Sequence, residues 1–327
     1  MKYNRNFRDV ISDSPCTFII GVAGDSGSGK TTFTGSVKKI FGEELVSTIS
    51  LDDYHTLSRE ERKKENVTPL SLEANDIGLL EEHVELLKSG SSIQKPVYNH
   101  ETGNIDSPVP FIPSKIIILE GLHTFSTPRL RELIDFTLFV NPERRIKYEW
   151  KIKRDVINRG YRKEDVIAEL NARSADYKKY VEPQTHYANA VIDISDSLYG
   201  KRVQNARNVY NVTLYQEKLD RTVKNINLNF NLFAINSMSD KNFSFGFEQT
   251  KKYGRKMGAL SLDGEFQFDV VRSLEKGIED QIKIPPLSLF SEKRDVNASD
   301  MVQLLLSWRI INKRILVESE REKSLMC

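Results

Sequence analysis

Residues 17–35 read TFIIGVAGDSGSGKTTFTG, and few stretches restrict a fold as tightly. TFIIGVA (17–23) is a continuous apolar and β-branched run, the pattern of a strand buried on both faces. GDSGSGKT (24–31) fits G-x-x-x-x-G-K-[ST], and TTFTGSVKKIFG then reads as a helix with glycine at its end. Strand before and helix after turn this pattern into a phosphate-binding loop; a chance match in a glycine-rich turn is the alternative. In such a loop the backbone N–H groups of Gly24, Asp25, Ser26, Gly27, Ser28 and Gly29 wrap phosphate oxygens at a helix N-terminus, and Thr32 follows in the first helical turn. Lys30 is expected to reach the β- and γ-phosphates, and the Thr31 hydroxyl to ligate Mg²⁺. The chain is therefore expected to bind ATP or GTP.

Further apolar runs predict strands at 45–51, 115–121, 136–140 and 190–194. Helical spacing covers 75–90, with Asn75 or Asp76 as N-cap and Gly90 as the stop, and a long charged helix runs from about 143 to 158. Strands alternating with helices predict an α/β fold with a mainly parallel sheet and helices on both faces. Near residue 200 the pattern changes. RNVYNVTLYQEKL (207–219), KNINLNFNLFAIN (224–236) and GALSLDGEFQFDVV (258–271) alternate apolar and polar residues, as half-exposed antiparallel strands do, and a last helix at 299–318 carries Trp308. The expected organisation is an N-terminal extension (1–16), a P-loop core (17–200) with a lid helix near 163–184, and a β-rich α+β region (201–327) whose exposed edge suits a homodimer.

Composition removes several classes of function. With 48 basic against 46 acidic residues, no global field argues for nucleic acid or membrane surfaces. No apolar run reaches membrane-spanning length, and MKYNRNFRDVISDSPC lacks the apolar core of a secretory signal. Two cysteines, Cys16 and Cys327, rule out a disulfide framework and suit a reducing compartment, so a cytoplasmic protein is expected.

Acids at strand ends supply the chemistry. In KIIILEG (115–121), Glu120 stands where a carboxylate can hold magnesium; an ordinary acid at a strand exit is the alternative. No guanine-reading N-K-x-D occurs (NKRI at 312–315 does not fit), so a GTPase is disfavoured and a small-molecule kinase favoured. Such a kinase needs a base beside its acceptor hydroxyl. Asp52, in SLDDYHTLSREERKK (50–64), lies at the tip of the second strand on the expected ligand edge of the sheet. His55 can bond a sugar hydroxyl. Arg59 and Lys63, at i and i+4, put two cations on one helix face, more than a neutral acceptor needs, and suit an acceptor that already carries a phosphate.

The segments GDSGSGKTTF, LDDYH, RKKENVTPLSLEAND, KPVYNHETG, ILEGLH, LIDFTLFV and WKIKRDVINRG occur in the order found in the phosphoribulokinases, and over residues 17–195 the chain resembles that group within the phosphoribulokinase/uridine kinase family of P-loop kinases. LDDYH and YNH-x-TG bring it nearest the plant and cyanobacterial branch. The resemblance implies ATP-dependent phosphorylation of ribulose 5-phosphate at its 1-hydroxyl, feeding carbon fixation in that group, with Mg²⁺ as cofactor. By position it implies Asp52 as general base, His55, Arg59 and Lys63 on the sugar phosphate, and Glu120 on the metal. It also implies that Lys151, Arg154, Asp155 and Arg159 handle transition-state charge and the sugar phosphate. Independently, Lys147, Lys151 and Arg154 form one basic helical stripe, which a solvated face would also explain. Tyr98 and His100 are expected to line the sugar pocket, with a plain hairpin turn as the alternative. Residues 164–183 are expected to form the lid that closes over ATP.

The chain departs from that branch at Ser28, where relatives carry a P-loop cysteine, and near Ser50, where they carry its partner; the thiol switch those cysteines form is expected to be absent. A uridine or cytidine kinase shares the P-loop and the aspartate but gives Arg59 and Lys63 little to neutralise. A nucleotide-binding regulatory protein would usually lack one of Asp52, Lys30, Thr31 and Glu120, and all four are present.

Overall fold

Every residue of β1 (Phe18–Ala23) is buried, as expected of a strand covered on both faces. The computed structural model describes residues 7–200, 209–217, 243–282 and 295–325. The chain divides into two compact units, one of Pro15–Thr31 and Glu44–Val191, the other of Met1–Ser14, Thr32–Glu43 and Ile192–Cys327.

In the unit that contains β1, four strands run parallel in the order β2 (Val46–Ser50), β5 (Ile116–Gly121), β1 and β6 (Phe136–Pro142). Register decides what meets at their carboxyl ends. Glu120 of β5 is paired with Val22 of β1 on one side and Ser50 of β2 on the other. The loop after β1, the turn after β2 and the Glu120 carboxylate therefore share one edge, where ligands of parallel sheets bind. A short α1 (Phe7–Asp13) precedes β1 in the chain, and α2 (Lys30–Phe41) begins directly after the glycine-rich loop.

Between β2 and β5 the chain forms α3 (Arg59–Glu65), α4 (Ile77–Lys88) and an antiparallel ribbon of β3 (Ile93–Tyr98) and β4 (Ile105–Phe111). α3 begins in a capping box: Ser58 Oγ accepts the Glu61 N–H, and the Glu61 carboxylate accepts the Ser58 N–H at 2.7 Å. Of the two candidate caps of α4, Asp76 is used, its Oδ1 accepting the Leu79 N–H at 2.9 Å. The short α5 (Pro128–Leu133) precedes β6.

Two helices differ from their expected course. The helix expected over 143–158 is α-helical only over Arg144–Lys153 (α6), and Arg154–Asn158 forms a wider π turn. A π turn spaces side chains more widely than 3.6 residues per turn, so an i, i+4, i+7 stripe is not preserved past Lys153. The expected lid helix is broken as well. α7 covers Lys163–Ala172, followed by a turn at Ser174–Asp176, a π turn at Tyr177–Val181 and a 3₁₀ segment at Glu182–His186 that contains Pro183. Proline lacks the N–H that an α-helix would require there.

β7 (Ala190–Asp196) leads into the second unit, where β8 (Tyr210–Gln216) lies between β7 and β10 (Arg255–Gln267). β10 also pairs antiparallel with β9 (Phe243–Lys252) and β11 (Asp295–Asn297). Asp263, fully buried in β10, ties this sheet to the chain after β7, its Oδ2 accepting the Leu198 N–H at 2.9 Å. The strand expected over 258–271 ends at Gln267, and Phe268–Ile282 is helix (α8), followed later by α9 (Ala298–Leu325). The strand expected at 224–236 lies outside the described residues. Among the described residues, no helix is long and apolar enough to cross a membrane.

Candidate active site

The glycine-rich loop is shaped by what packs against it. Gly27 has φ +78° and Gly29 φ +89°, in the left-handed region where only glycine is unstrained. A Cβ at Gly27 would stand 3.0 Å from the Lys151 side chain, and one at Gly29 would stand 3.2 Å from the Trp150 ring. α6 therefore rests directly on the loop. The Lys30 ammonium donates to the carbonyls of Asp25 (2.9 Å) and Gly24 (3.1 Å). Burial lowers its pKa, and the Glu120 and Asp52 carboxylates oppose that shift. Thr31 Oγ1 donates to Glu120 Oε1 at 2.9 Å. Ser28 is buried and its hydroxyl has no hydrogen-bond partner among the described residues. Thr32 is exposed in the first turn of α2.

Asp25 and Asp155 organise the cations. Asp25, 3% exposed, takes Lys147 at 2.9 Å on one oxygen, and Arg173 and the Ser26 N–H on the other. Asp155, fully buried, accepts from Lys151 at 2.6 Å and Arg154 at 2.9 Å, with Arg159 at 3.3 Å. Burial pushes its carboxyl pKa up, but the hydrogen bonds from Arg154 and Lys151 outweigh burial and leave it below the ordinary value. The basic stripe is thus no solvated face. Lys147 and Lys151 are buried on carboxylates, while Arg154 reaches the loop, donating to Ser26 Oγ at 3.0 Å. The resemblance implies Asp155 on the sugar phosphate; its carboxylate is fully buried against Lys151, Arg154 and Arg159.

The two acids of LDDYH part company. Asp53 is structural: its Oδ2 takes Lys95 at 2.5 Å and its Oδ1 the Tyr98 N–H at 3.0 Å, fastening the β3–β4 ribbon. Asp52 turns the other way, its side chain 37% exposed, with His100 Nε2 at 3.7 Å. The His55 and His100 rings both meet Tyr98 edge-on, at centroid distances of 5.0 and 5.2 Å. His55 Nδ1 is held by Asn75 Oδ1 at 2.9 Å. Arg59 donates to the His100 carbonyl at 2.6 Å. Lys63 is exposed on the same helix.

Sequence reasoning missed Arg62, which is 9% exposed, donates to Tyr98 Oη at 2.8 Å and to the Leu57 carbonyl at 2.6 Å, and lies over the Tyr98 ring. It also missed Arg173, which the broken helix delivers to Asp25. His123, three residues after Glu120, was missed too. It is 2% exposed and shares a small pocket with Asp52, Tyr54 and Asn75, and burial drives its pKa down to about 4. Only ILEGLH, as part of the family resemblance, held any signal for it.

A parallel sheet whose P-loop lysine, helix-start hydroxyl and strand-end acid meet at one edge is the α/β fold of the P-loop kinases. The chain belongs to the phosphoribulokinase / uridine kinase family, whose model matches residues 19–197, over half its length. A phosphoribulokinase of Synechocystis sp. is 48% identical over 176 residues, covering 54% of this chain and 53% of that protein. A chloroplastic phosphoribulokinase of Arabidopsis thaliana is 38% identical over 208 residues, covering 58% and 53%. A uridine kinase of Clostridium perfringens is 34% identical over 179 residues, covering 53% of this chain and 85% of that protein. The match thus spans about half the length of these two phosphoribulokinases. Among solved structures, the phosphoribulokinase from Rhodobacter spheroides aligns with a TM-score of 0.58 at 18% identity, over 92% of this chain and 99% of that one, a likeness of fold.

Proposed function

We propose that the protein is a kinase that transfers the γ-phosphoryl group of ATP to the 1-hydroxyl of ribulose 5-phosphate, yielding ribulose 1,5-bisphosphate and ADP. The observation that carries this reading is the half-exposed Asp52 carboxylate at the sheet edge of Lys30, Thr31 and Glu120, close enough to act on the Lys30 charge. An aspartate there can take the hydroxyl proton as the oxygen attacks phosphorus and the bond to ADP breaks.

Lys30, which rests on two loop carbonyls, can exchange them for phosphate oxygens without leaving the loop. Arg154 approaches from the other side, held by Asp155 so that its charge stays over Ser26. Arg59, His55, Tyr98 and His100 surround the acceptor side, and Lys63 adds charge at its margin. Thr31 and Glu120 present two oxygens 2.9 Å apart. Among the described residues, no cluster of three or more His, Cys, Asp or Glu could hold an ion by itself. This donor set suits Mg²⁺, which takes few protein ligands and completes its shell with phosphate oxygens and water. When bound there, the ion would neutralise charge on the β- and γ-phosphates.

Identity to phosphoribulokinases of 48% and 38%, against 34% to a uridine kinase, supports the sugar-phosphate acceptor over a nucleoside. A cytoplasmic homodimer accompanies this reading; among the described residues β9 pairs with β10 alone, and its Phe247 is 67% exposed. The deciding experiment measures ATP consumption by purified protein with Mg²⁺, offering ribulose 5-phosphate or uridine. Turnover on the sugar phosphate is expected, and turnover on uridine alone would overturn the assignment.

A further inference from the structure

His123 poses a problem in buried polarity. Its side chain is 2% exposed, and neither ring nitrogen meets hydrogen-bonding geometry with any described residue. The Leu70 backbone draws on a ring N–H from outside hydrogen-bonding geometry and raises the pKa, without outweighing burial. A buried donor or acceptor left unmade has given up water for nothing, so an orphaned imidazole in a folded core calls for an occupant.

The surroundings narrow what that occupant is. The pocket is lined by Leu51, Asp52, Tyr54, Asn75, His123 and an apolar wall from α4 and Leu122. Its free space is on the scale of one water molecule, too small for a sugar ring or a base. Two of the polar liners are already engaged. Tyr54 Oη is bonded to His83 Nδ1 at 3.0 Å, and Asn75 spends its oxygen on His55 and its amide on the carbonyls of Pro69 and Ser71. His123 and the Asp52 carboxylate retain capacity. With its pKa pushed to about 4, the His123 ring is neutral near pH 7, offering one N–H donor and one bare nitrogen acceptor.

We propose that His123 and Asp52 frame a subsite for a single O–H group, and that His123 acts through it as a positioning residue for the Asp52 base. An O–H group both donates and accepts: it can donate to the Asp52 carboxylate while taking the ring N–H, which pins the carboxylate that must meet the acceptor. The group comes either from a bound water or from a hydroxyl of the acceptor. The inference rests on the kinase reading for its consequence, and on the orphaned ring and the size of the pocket for its existence.

The test has two parts. High-resolution crystal structures are determined for the protein alone and with ribulose 5-phosphate plus a non-transferable ATP analogue. An ordered oxygen within hydrogen-bond distance of both His123 and Asp52 is expected. Its persistence in the complex identifies a water, and its replacement by an acceptor hydroxyl identifies the acceptor. A dry pocket in both structures overturns the proposal. In parallel, kcat and KM are measured for His123→Leu and His123→Gln on whichever acceptor the wild type turns over, so that a wrong acceptor assignment is seen separately. His123→Leu is expected to lower kcat by roughly 10- to 100-fold with KM for ATP unchanged, and His123→Gln, which keeps a donor and an acceptor, to recover part of the loss. Wild-type kcat in His123→Leu would show an ordinary core histidine and end the proposal.

Discussion

Arg62 turns inward from α3 and donates to the Tyr98 hydroxyl at 2.8 Å, while its neighbour Lys63 stays in solvent. The inward cation holds up the ring against which His55 and His100 both pack. Arg62→Ala strands the Tyr98 hydroxyl and the Leu57 carbonyl and is expected to destabilise the protein by about 2–3 kcal/mol, as for other hydrogen bonds to a charged group. Lys63→Ala is expected to shift stability by less than about 0.5 kcal/mol. Urea midpoints of the two variants check the contrast, and equal shifts would contradict it.

Asp52→Asn keeps the shape of the side chain and removes its basicity. Turnover is expected to fall by about two to four orders of magnitude, the usual worth of a positioned base, with ATP affinity preserved. Single-turnover kinetics beside an ATP titration separate the two quantities. Turnover near the wild-type level would remove Asp52 from the role.

At the P-loop, Glu120→Gln keeps the contact with Thr31 but removes the carboxylate charge. The Mg²⁺ concentration needed for half-maximal rate is expected to rise roughly tenfold or more, and chelation of the ion to abolish turnover reversibly in both proteins. An unchanged Mg²⁺ requirement would mean that Glu120 does not serve the metal.

Asp155 carries a pH signature. Its folded pKa lies below the ordinary carboxylate value, because hydrogen bonds from Arg154 and Lys151 overcome burial. The stabilisation is complete above the unfolded pKa, near 3.9, and is lost as pH falls through the lower folded value. Asp155→Asn removes the nearer of two carboxylates from the buried Lys151, leaving Glu169 Oε1 at 3.3 Å, and is expected to cost about 1.5–3 kcal/mol at pH 7. The gap between variant and wild type should narrow steadily below about pH 4. Denaturant unfolding from pH 7 to pH 3 tests this, and a gap that stays constant or widens in acid would refute it.

Local pattern determined a good deal of this protein. β1, β5 and β6 were legible because apolar runs bounded by turn residues have few other places to go, and the P-loop because its glycines, lysine and threonine are contiguous. Asp52 and Glu120 were found as strand-end acids, since the parallel sheet itself dictates that such ends converge. What pattern could not resolve was the direction of neighbouring side chains. Asp52 and Asp53, like Arg62 and Lys63, are adjacent and chemically alike, and only the fold decides which of each pair faces inward.

The ion-pair hubs lay further from view. Asp25 meets Arg173 across 148 positions, and Lys147 and Lys151 read as a basic stripe that a solvated face would also explain, until two carboxylates close over them. The π turn at Arg154–Asn158 has no local signature, and it ends the helical spacing that sequence alone would extend. His123 is the extreme case: a histidine near a strand end says nothing of its environment, and its orphaned ring exists only because Leu122, α4 and the turn after β2 close around it. Sequence thus determined which elements form and which chemical groups their ends carry, because both follow from short-range pattern. Burial and partners are sums over distant segments, so which of those groups are paired, turned outward or left waiting was decided by tertiary packing alone.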